Sequence, residues 1–269
     1  MNKILVITSS SLRHLYFAEQ LNKSLNINVC KIILEGNLIK NNTYDFNNYG
    51  ENIIKKHFSL RHNSEVDFFS DSACILRDKS KIINLKKNEI NNLNIVKQIE
   101  KLNIDYIVSY GCSIIKGRLL NKFKKRIINV HLGISPYYTG AGTNFHCLVN
   151  NEFQFMGYSL IFMDEGVDTG EIIHQERASF FINDNPHIIG NRLIKKMTND
   201  MIKLMSNFKL VRQKKISKTD FDIKNYKIKD ATSEKTIKLY KEFELNLYNY
   251  INNRNSIDIK FPLIKQDFI

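Results

Sequence analysis

No stretch of the 269 residues holds eighteen consecutive apolar side chains, which argues against a membrane-spanning helix. The opening MNKILVITSS has an apolar run of only four before Thr8 and the serines that follow, too short for a signal peptide. The expected setting is therefore cytoplasmic, with no membrane partner. Cysteine is scarce. Cys30, Cys74, Cys112 and Cys147 stand far apart with no CxxC or Cys/His ligand spacing, so neither a disulfide framework nor a structural metal is expected. Proline occurs three times and marks no linker, and no internal repeat is visible. Acidic residues are outnumbered, giving a formal net charge of +13. That charge invites a nucleic-acid reading. The lysines, however, are spread along a chain equally rich in Asn and Ile, the signature of an AT-rich genome, and no aromatic–basic RNA motif is present. Attraction for anionic small molecules is the milder inference.

At 43% hydrophobic residues, the length suits one large domain with a modest extension. Lys3 to Thr8 reads as a buried strand, Leu12 to Leu25 as an amphipathic helix, and Ile27 to Leu34 as a second strand, a β-α-β opening. A helical patch at Ile53 to Phe58 is followed by an irregular stretch. A strand at Ile82 to Leu85, a helix over Asn88 to Leu102 and strands at Asp105 to Tyr110 and Arg126 to Val130 come next, with a short helix at Ile115 to Phe123 between the last two. Thr143 to Asn150 reads as helix. Two further strands flank the turn EGVDTG, and long helices are predicted at Pro186 to Phe208 and Thr232 to Tyr250, with a basic, extended segment between them.

Three polar residues carry the chemistry. Asn129 and His131 flank Val130 at the end of a predicted strand, so both project to one face. In open α/β sheets, ligands bind at that C-terminal edge. Asp168 follows 37 positions after His131 in a glycine-bounded turn. Together they offer an amide donor, a titratable imidazole and a carboxylate, the set that acyl transfer to an amine requires. No Ser or Cys beside His131 has an elbow-like setting, which disfavours a covalent acyl-enzyme. Taken singly, each has a plainer reading: a strand cap, a structural histidine, a turn aspartate.

The pattern Asn129-Val130-His131, then Pro136 to Gly140, then Asp168-Thr169-Gly170, resembles the folate-dependent formyltransferases. That group includes sugar N-formyltransferases, methionyl-tRNA formyltransferase and glycinamide ribonucleotide formyltransferase. The strand from Asp105 to Gly111 resembles the family's folate-side strand. The resemblance implies an α/β, Rossmann-like formyltransferase fold: a mostly parallel sheet flanked by helices, with a short C-terminal helical extension. Residues 1–210 would form the catalytic domain and 211–269 an arm plus helix. It implies 10-formyltetrahydrofolate as formyl donor. Asn129 and His131 would stabilise the formyl oxygen, His131 would be a candidate general base, and Asp168 would orient it and a proton-carrying water. The pteridine would sit on Tyr110, Gly111, Cys112, Ser113 and Ile114, and on the turn with Gly166 and Val167. Ser9, Ser10, Ser11 and Arg13, at a strand-to-helix turn, would meet an anionic acceptor, and Tyr137 is a candidate wall for it, although packing within the loop is its plainer role.

Two departures from the family pattern stand out. Thr139 occupies a position where relatives often carry Arg. The hairpin between His131 and Asp168 is slightly longer, which predicts a changed surface turn around Asn150–Phe155. His57, Arg61 and Glu65 form an unusual cluster, for which surface salt bridging is the plain account. His146, His174 and His187 are expected to be bystanders. The segment after the long helix is short for the tRNA-holding barrel of the methionyl-tRNA enzymes, which argues against a tRNA partner. A small amine, such as a nucleotide-linked amino sugar, is the expected acceptor. Methionyl-tRNA or glycinamide ribonucleotide activity, a formyltetrahydrofolate hydrolase and a basic nucleic-acid-binding module are the alternatives. The Tyr-rich helix is a candidate homodimer surface.

Overall fold

The computed structural model describes residues 1–36, 52–73, 79–212 and 222–269. Among them, strands β1 (Lys3–Thr8), β2 (Asn28–Glu35), β3 (Ile82–Leu85), β4 (Tyr106–Tyr110) and β5 (Ile127–His131) form a parallel array. β6 (Tyr138–Gly140) lies outside it, and β7 (Gly157–Phe162) and β8 (Ile172–Arg177) extend the array antiparallel. The sheet order is β3-β2-β1-β4-β5-β7-β8, and β6 pairs in parallel with β9 (Lys224–Tyr226).

Alternation along the strands builds two cores. Ile4 and Val6 of β1 face one apolar cluster, whereas Leu5 and Ile7 face the other. Helices α1 (Leu12–Lys23), α2 (Asn52–Ala73), α6 (Pro186–Ser206) and α7 (Ser233–Asp258) belong with the first cluster; α3 (Leu93–Lys101) and α4 (Gly117–Lys122) cover the second. α5 (Thr143–Val149) follows the loop after β5. The chain order reverses between β1 and β4, so the ends of those strands diverge into a crevice. The Thr8 hydroxyl, bonded to the Tyr110 carbonyl at 2.7 Å, ties the two strands at its floor.

Several expectations shift. The helical patch at Ile53 runs on to Ala73, because α2 packs on α1, α6 and α7 and the burial compensates its weak intrinsic pattern. The helix expected over Asn88 to Leu102 splits. Glu89–Asn91 is a single 3-10 turn, and extended Asn92 then caps α3 by accepting from the Asn94 N–H at 3.0 Å. The turn around Asn150–Phe155 exposes Asn151 but anchors Phe153 and Phe155 in the core, at 0% and 5% exposure. Cys74 lies outside the described residues. Cys30, Cys112 and Cys147 are free thiols. No helix among the described residues is long and apolar enough to cross a membrane.

Residues 222–269 do not stand apart from the rest. Thr236, Leu239, Phe243, Leu247 and Tyr250 recur three or four apart and are buried, which turns one stripe of α7 inward. Phe153 packs against both Phe243 and Tyr250. The face left for the expected dimer contact carries Ile237, Leu245 and Tyr248, all exposed. The chain end then follows β8, where Gln175 N–H donates to the Ile264 carbonyl at 2.7 Å. Phe243→Ala is expected to cost about 3–5 kcal/mol of stability, read from urea unfolding. A cost below about 1 kcal/mol would show that α7 does not share the core.

Candidate functional site

β5 delivers Asn129 and His131 to one face, and Asp168 comes to meet them from the β7–β8 turn. The His131 Nδ1 lies 3.1 Å from Asp168 Oδ2. Asn129 Nδ2 donates to Asp168 Oδ1 at 3.3 Å, while Asn129 Oδ1 accepts from the Ser109 hydroxyl at 3.0 Å. The acceptor-only Asp168 carboxylate fixes which way the Asn129 amide points, with its N–H side toward Asp168 and its oxygen toward the Ser109 hydroxyl. Asp168 Oδ2 also accepts from the Gly140 N–H at 2.9 Å. Burial opposes ionisation of Asp168. The His131 hydrogen bond and charge and the Gly140 N–H outweigh it and hold the carboxyl below its usual range. Asp168 adopts φ +56, an uncommon backbone conformation for a side-chain-bearing residue that its three contacts hold in place.

The second ring nitrogen of His131 is also occupied. Nε2 lies 2.8 Å from the Tyr138 carbonyl oxygen. Each ring nitrogen thus faces an acceptor oxygen. In this arrangement His131 bridges Asp168 and the loop. This differs from the expectation that His131 itself addresses the formyl oxygen.

The loop from Leu132 to Gly142 is fixed by groups far away in sequence. Tyr138 is fully buried, and its hydroxyl bonds to Glu152 and Asn150. Lys224 pairs with the same Glu152 at 2.6 Å. Gly140 has φ +88, and a Cβ there would stand 2.1 Å from the Tyr226 carbonyl, so only glycine permits the β6–β9 approach. Thr139 is buried within that pairing, opposite Asn225. Tyr137 is placed differently from the predicted acceptor wall. Its ring stacks on Phe155 at 4.5 Å and meets Phe261 edge-on, so it is core packing for the loop.

These groups open on a cleft of about 1210 Å³. At one end stand Tyr110, Gly111, Cys112, Ser113, Ile114 and the turn with Gly166 and Val167. Ile114 and Val167 are exposed apolar side chains there. Sequence reasoning missed Glu35. Its Oε2 accepts from the Ser113 N–H at 2.5 Å, so that amide is not available to a ligand. Its Oε1 is buried without a partner among the described residues. A charged residue closing the apolar run Ile32–Leu34 was the signal. Burial, then the Glu35 charge, pushes the Cys112 thiol up to about 12, which excludes it as a nucleophile at neutral pH.

The serine turn is also arranged differently from expectation. Ser9 and Ser11 both place Oγ against His14 Nδ1, at 2.6 and 2.5 Å, rather than presenting an open anion cradle. Ser9, Arg13 and His14 border the cleft, while Ser10 and Ser11 lie off its lining. His187, read as a bystander, borders it as well and bonds to Tyr240. From the C-terminal arm, Tyr226, Lys227 and Ile228 complete the wall, with Tyr226 stacked on His146 at 3.8 Å.

Residues 52–205, more than half of the chain, match the model of the formyl transferase family. The chain belongs to the formyl transferase family. Methionyl-tRNA formyltransferase of Finegoldia magna is 33% identical over 129 residues, covering 45% of this chain and 41% of that protein. The Buchnera aphidicola (Baizongia pistaciae) enzyme of the same name is 31% identical over 198 residues, covering 68% and 60%. The matches thus span less than two thirds of these relatives' own length. Among solved structures, the formyltransferase PseJ from Anoxybacillus kamchatkensis, in complex with UDP-4,6-dideoxy-4-formamido-L-AltNAc and tetrahydrofolate, aligns with TM-score 0.51 at 17% identity, covering 90% of this chain and 98% of that one. A sugar N-formyltransferase from a Shewanella species aligns with TM-score 0.57 at 17% identity, covering 89% and 87%. At that identity the likeness establishes the shared formyltransferase fold.

For this member of the formyl transferase family, four histidines predict a pH dependence of stability. Burial, the largest cause in each case, lowers His57, His146 and His174 to about 4 and His187 to about 3, from an ordinary 6.5. Each folded value lies below the unfolded one. Their contribution is therefore complete above pH 6.5 and lost as pH falls through about 4. The urea midpoint is expected to be level near neutral pH and to fall steadily below pH 6.5. A midpoint that stays constant down to about pH 4.5 would contradict this.

Proposed function

We propose that the chain transfers a formyl group from 10-formyltetrahydrofolate to a primary amine, most simply that of a small anionic acceptor such as a nucleotide-linked amino sugar. The observation that carries this reading is the Asn129–Asp168–His131 set on one side of a cleft of about 1210 Å³, room for two ligands. Small-molecule sites commonly occupy about 300–1,000 Å³. The end of the cleft with Ile114 and Val167 fits a flat, partly apolar ring. The orphaned Glu35 oxygen there suits a ring that offers N–H donors. The folate cosubstrate supplies the formyl carbon.

The chain's own residues then have distinct tasks. Asn129 donates an N–H to the formyl oxygen as negative charge builds on it. Asp168 stays ionised, and its Oδ1, held among the described residues by the long Asn129 bond, accepts the proton of the attacking amine directly or through one water; that proton passes to the folate N10 as the formyl C–N10 bond breaks and tetrahydrofolate leaves. His131 orients Asp168 and stabilises its charge. The arm around Tyr226 keeps the loop, and hence the Gly140 N–H, on Asp168.

The names of the sequence relatives favour a second reading, methionyl-tRNA as acceptor. Labelled 10-formyltetrahydrofolate offered with nucleotide-linked amino sugars, glycinamide ribonucleotide and methionyl-tRNA separates the two. Label in the small amine is expected. Label in methionyl-tRNA alone would overturn the small-acceptor reading. Folate release that needs no amine would instead mark a hydrolase, and salt-sensitive tRNA binding without transfer a nucleic-acid module.

A further inference from the structure

The two departures from the family pattern, Thr139 and the longer hairpin, meet at one place in the fold. The turn after α5 supplies Asn150 and Glu152. Tyr138, fully buried, gives its hydroxyl proton to Glu152 and accepts from Asn150 Nδ2 at 2.8 Å. The same Asn150 amide donates to the Tyr226 hydroxyl at 2.9 Å. Lys224 Nζ lies 2.6 Å from both Glu152 oxygens. One turn thus grips the loop through Tyr138 and the arm through Lys224 and Tyr226. Thr139 is buried between them, where the family pattern often has Arg.

β6 uses both of its edges. On the outer edge, the Lys224 N–H donates to the Tyr137 carbonyl at 2.9 Å and the Ala141 N–H to the Tyr226 carbonyl at 2.8 Å. On the inner edge, the Tyr138 carbonyl meets His131 Nε2 at 2.8 Å and the Gly140 N–H donates to Asp168 Oδ2 at 2.9 Å. Alternate residues of a strand turn their peptide groups to opposite sides, so seating the outer edge sets the inner one.

We infer that Glu152 and Lys224 are positioning residues for the Asp168–His131 pair: their ion pair seats the arm on the outer edge of β6, whose inner edge then holds both groups in place. The link to turnover rests on the formyl-transfer reading; the placement of Asp168 stands on the contacts themselves. Three observations support it. β6 has three residues and, among the described residues, only β9 as a strand partner, so little else keeps it extended. The pair is partly exposed, at 26% for Glu152 and 30% for Lys224, unlike the Glu65 pairs with Arg13 and Arg61, which are buried rather than surface bridges. A partly exposed pair contributes little to stability, whereas a small displacement of a reacting group is felt strongly in turnover. The third observation gives the effect a sign. The Gly140 N–H is one of the groups that keep Asp168 ionised against burial, so loosening β6 lets the Asp168 carboxyl titrate at higher pH.

The test compares wild type with Lys224→Met, Glu152→Gln and the conservative Lys224→Arg. Carbon-13 NMR of aspartate-labelled protein follows the Asp168 carboxyl, recognised by its absence from Asp168→Asn. Kinetics against pH with the acceptor panel follow turnover. In Lys224→Met and Glu152→Gln the Asp168 midpoint is expected to rise, and the acid limb of kcat to move up with it. Their kcat at the optimum is expected to fall about tenfold or more, with KM for the donor within about twofold of wild type. Lys224→Arg, which keeps the charge, is expected to restore the midpoint and most of kcat. An unmoved Asp168 midpoint in both variants, even with a lowered Tm, would assign the pair to stability alone and overturn the inference. So would a Lys224→Arg protein as impaired as Lys224→Met. If Lys224→Met does not fold, the same comparison is read from Glu152→Gln. A raised Asp168 midpoint without formyl transfer by wild type removes the formyl-transfer reading alone. Transfer by wild type with an unmoved midpoint in the variants removes the positioning role alone.

Discussion

Asp168→Asn is expected to lower kcat by about 10²–10⁴-fold while leaving tetrahydrofolate affinity close to that of wild type. The substitution is nearly isosteric and retains an oxygen for the His131 and Gly140 contacts, so the loop should hold its place. What it removes is the negative charge that the site keeps on Asp168 against the cost of burial. In the proposed reaction that charge receives the amine proton as the C–N bond forms. Steady-state kinetics with saturating donor check the effect. A fall of less than about tenfold would mean that another group handles the proton.

Asn129→Ala is expected to lower kcat by about 10²–10³-fold, with KM for the donor little changed. The amide is aimed by Asp168, with Ser109 on its oxygen, rather than by any ligand, which is the preorganisation that makes an oxyanion donor effective. Its benefit grows with charge on the formyl oxygen and so appears in kcat. A raised KM with unchanged kcat would instead assign Asn129 to ground-state binding.

Much of this site could be read from residue spacing. Two side chains flanking Val130 must share a strand face, and the structure shows both bonded to one carboxylate. The strands of the sheet core carried an equally direct signal in their unbroken apolar runs. Other parts carried none. α2 is a long helix because three other helices cover it, and no local pattern in its sequence records that neighbourhood. The occupied Nε2 of His131 depends on where the Tyr138 carbonyl lands, which is set by Glu152, Lys224 and Tyr226 from distant segments.

The role of the C-terminal segment was the least legible. Its composition reads as an arm and a charged helix, yet Tyr226 and Gly140 meet so closely that a single methyl would part them. Thr139, where the family pattern often has Arg, is buried in that junction, in register with Asn225 of the arm. The cationic group that meets the cleft comes instead from α1 and α2, as Arg13 and Arg61. His187 was equally hidden, since it gains its meaning only from the helix that folding sets beside it.

The most direct measurement counts formamide produced per tetrahydrofolate released when labelled 10-formyltetrahydrofolate is mixed with the acceptor panel. The account predicts a ratio of about one, release that requires the amine, and a common loss of both products in Asp168→Asn. Tetrahydrofolate released at the same rate with no amine present, or at equal rates from wild type and Asp168→Asn, would contradict it.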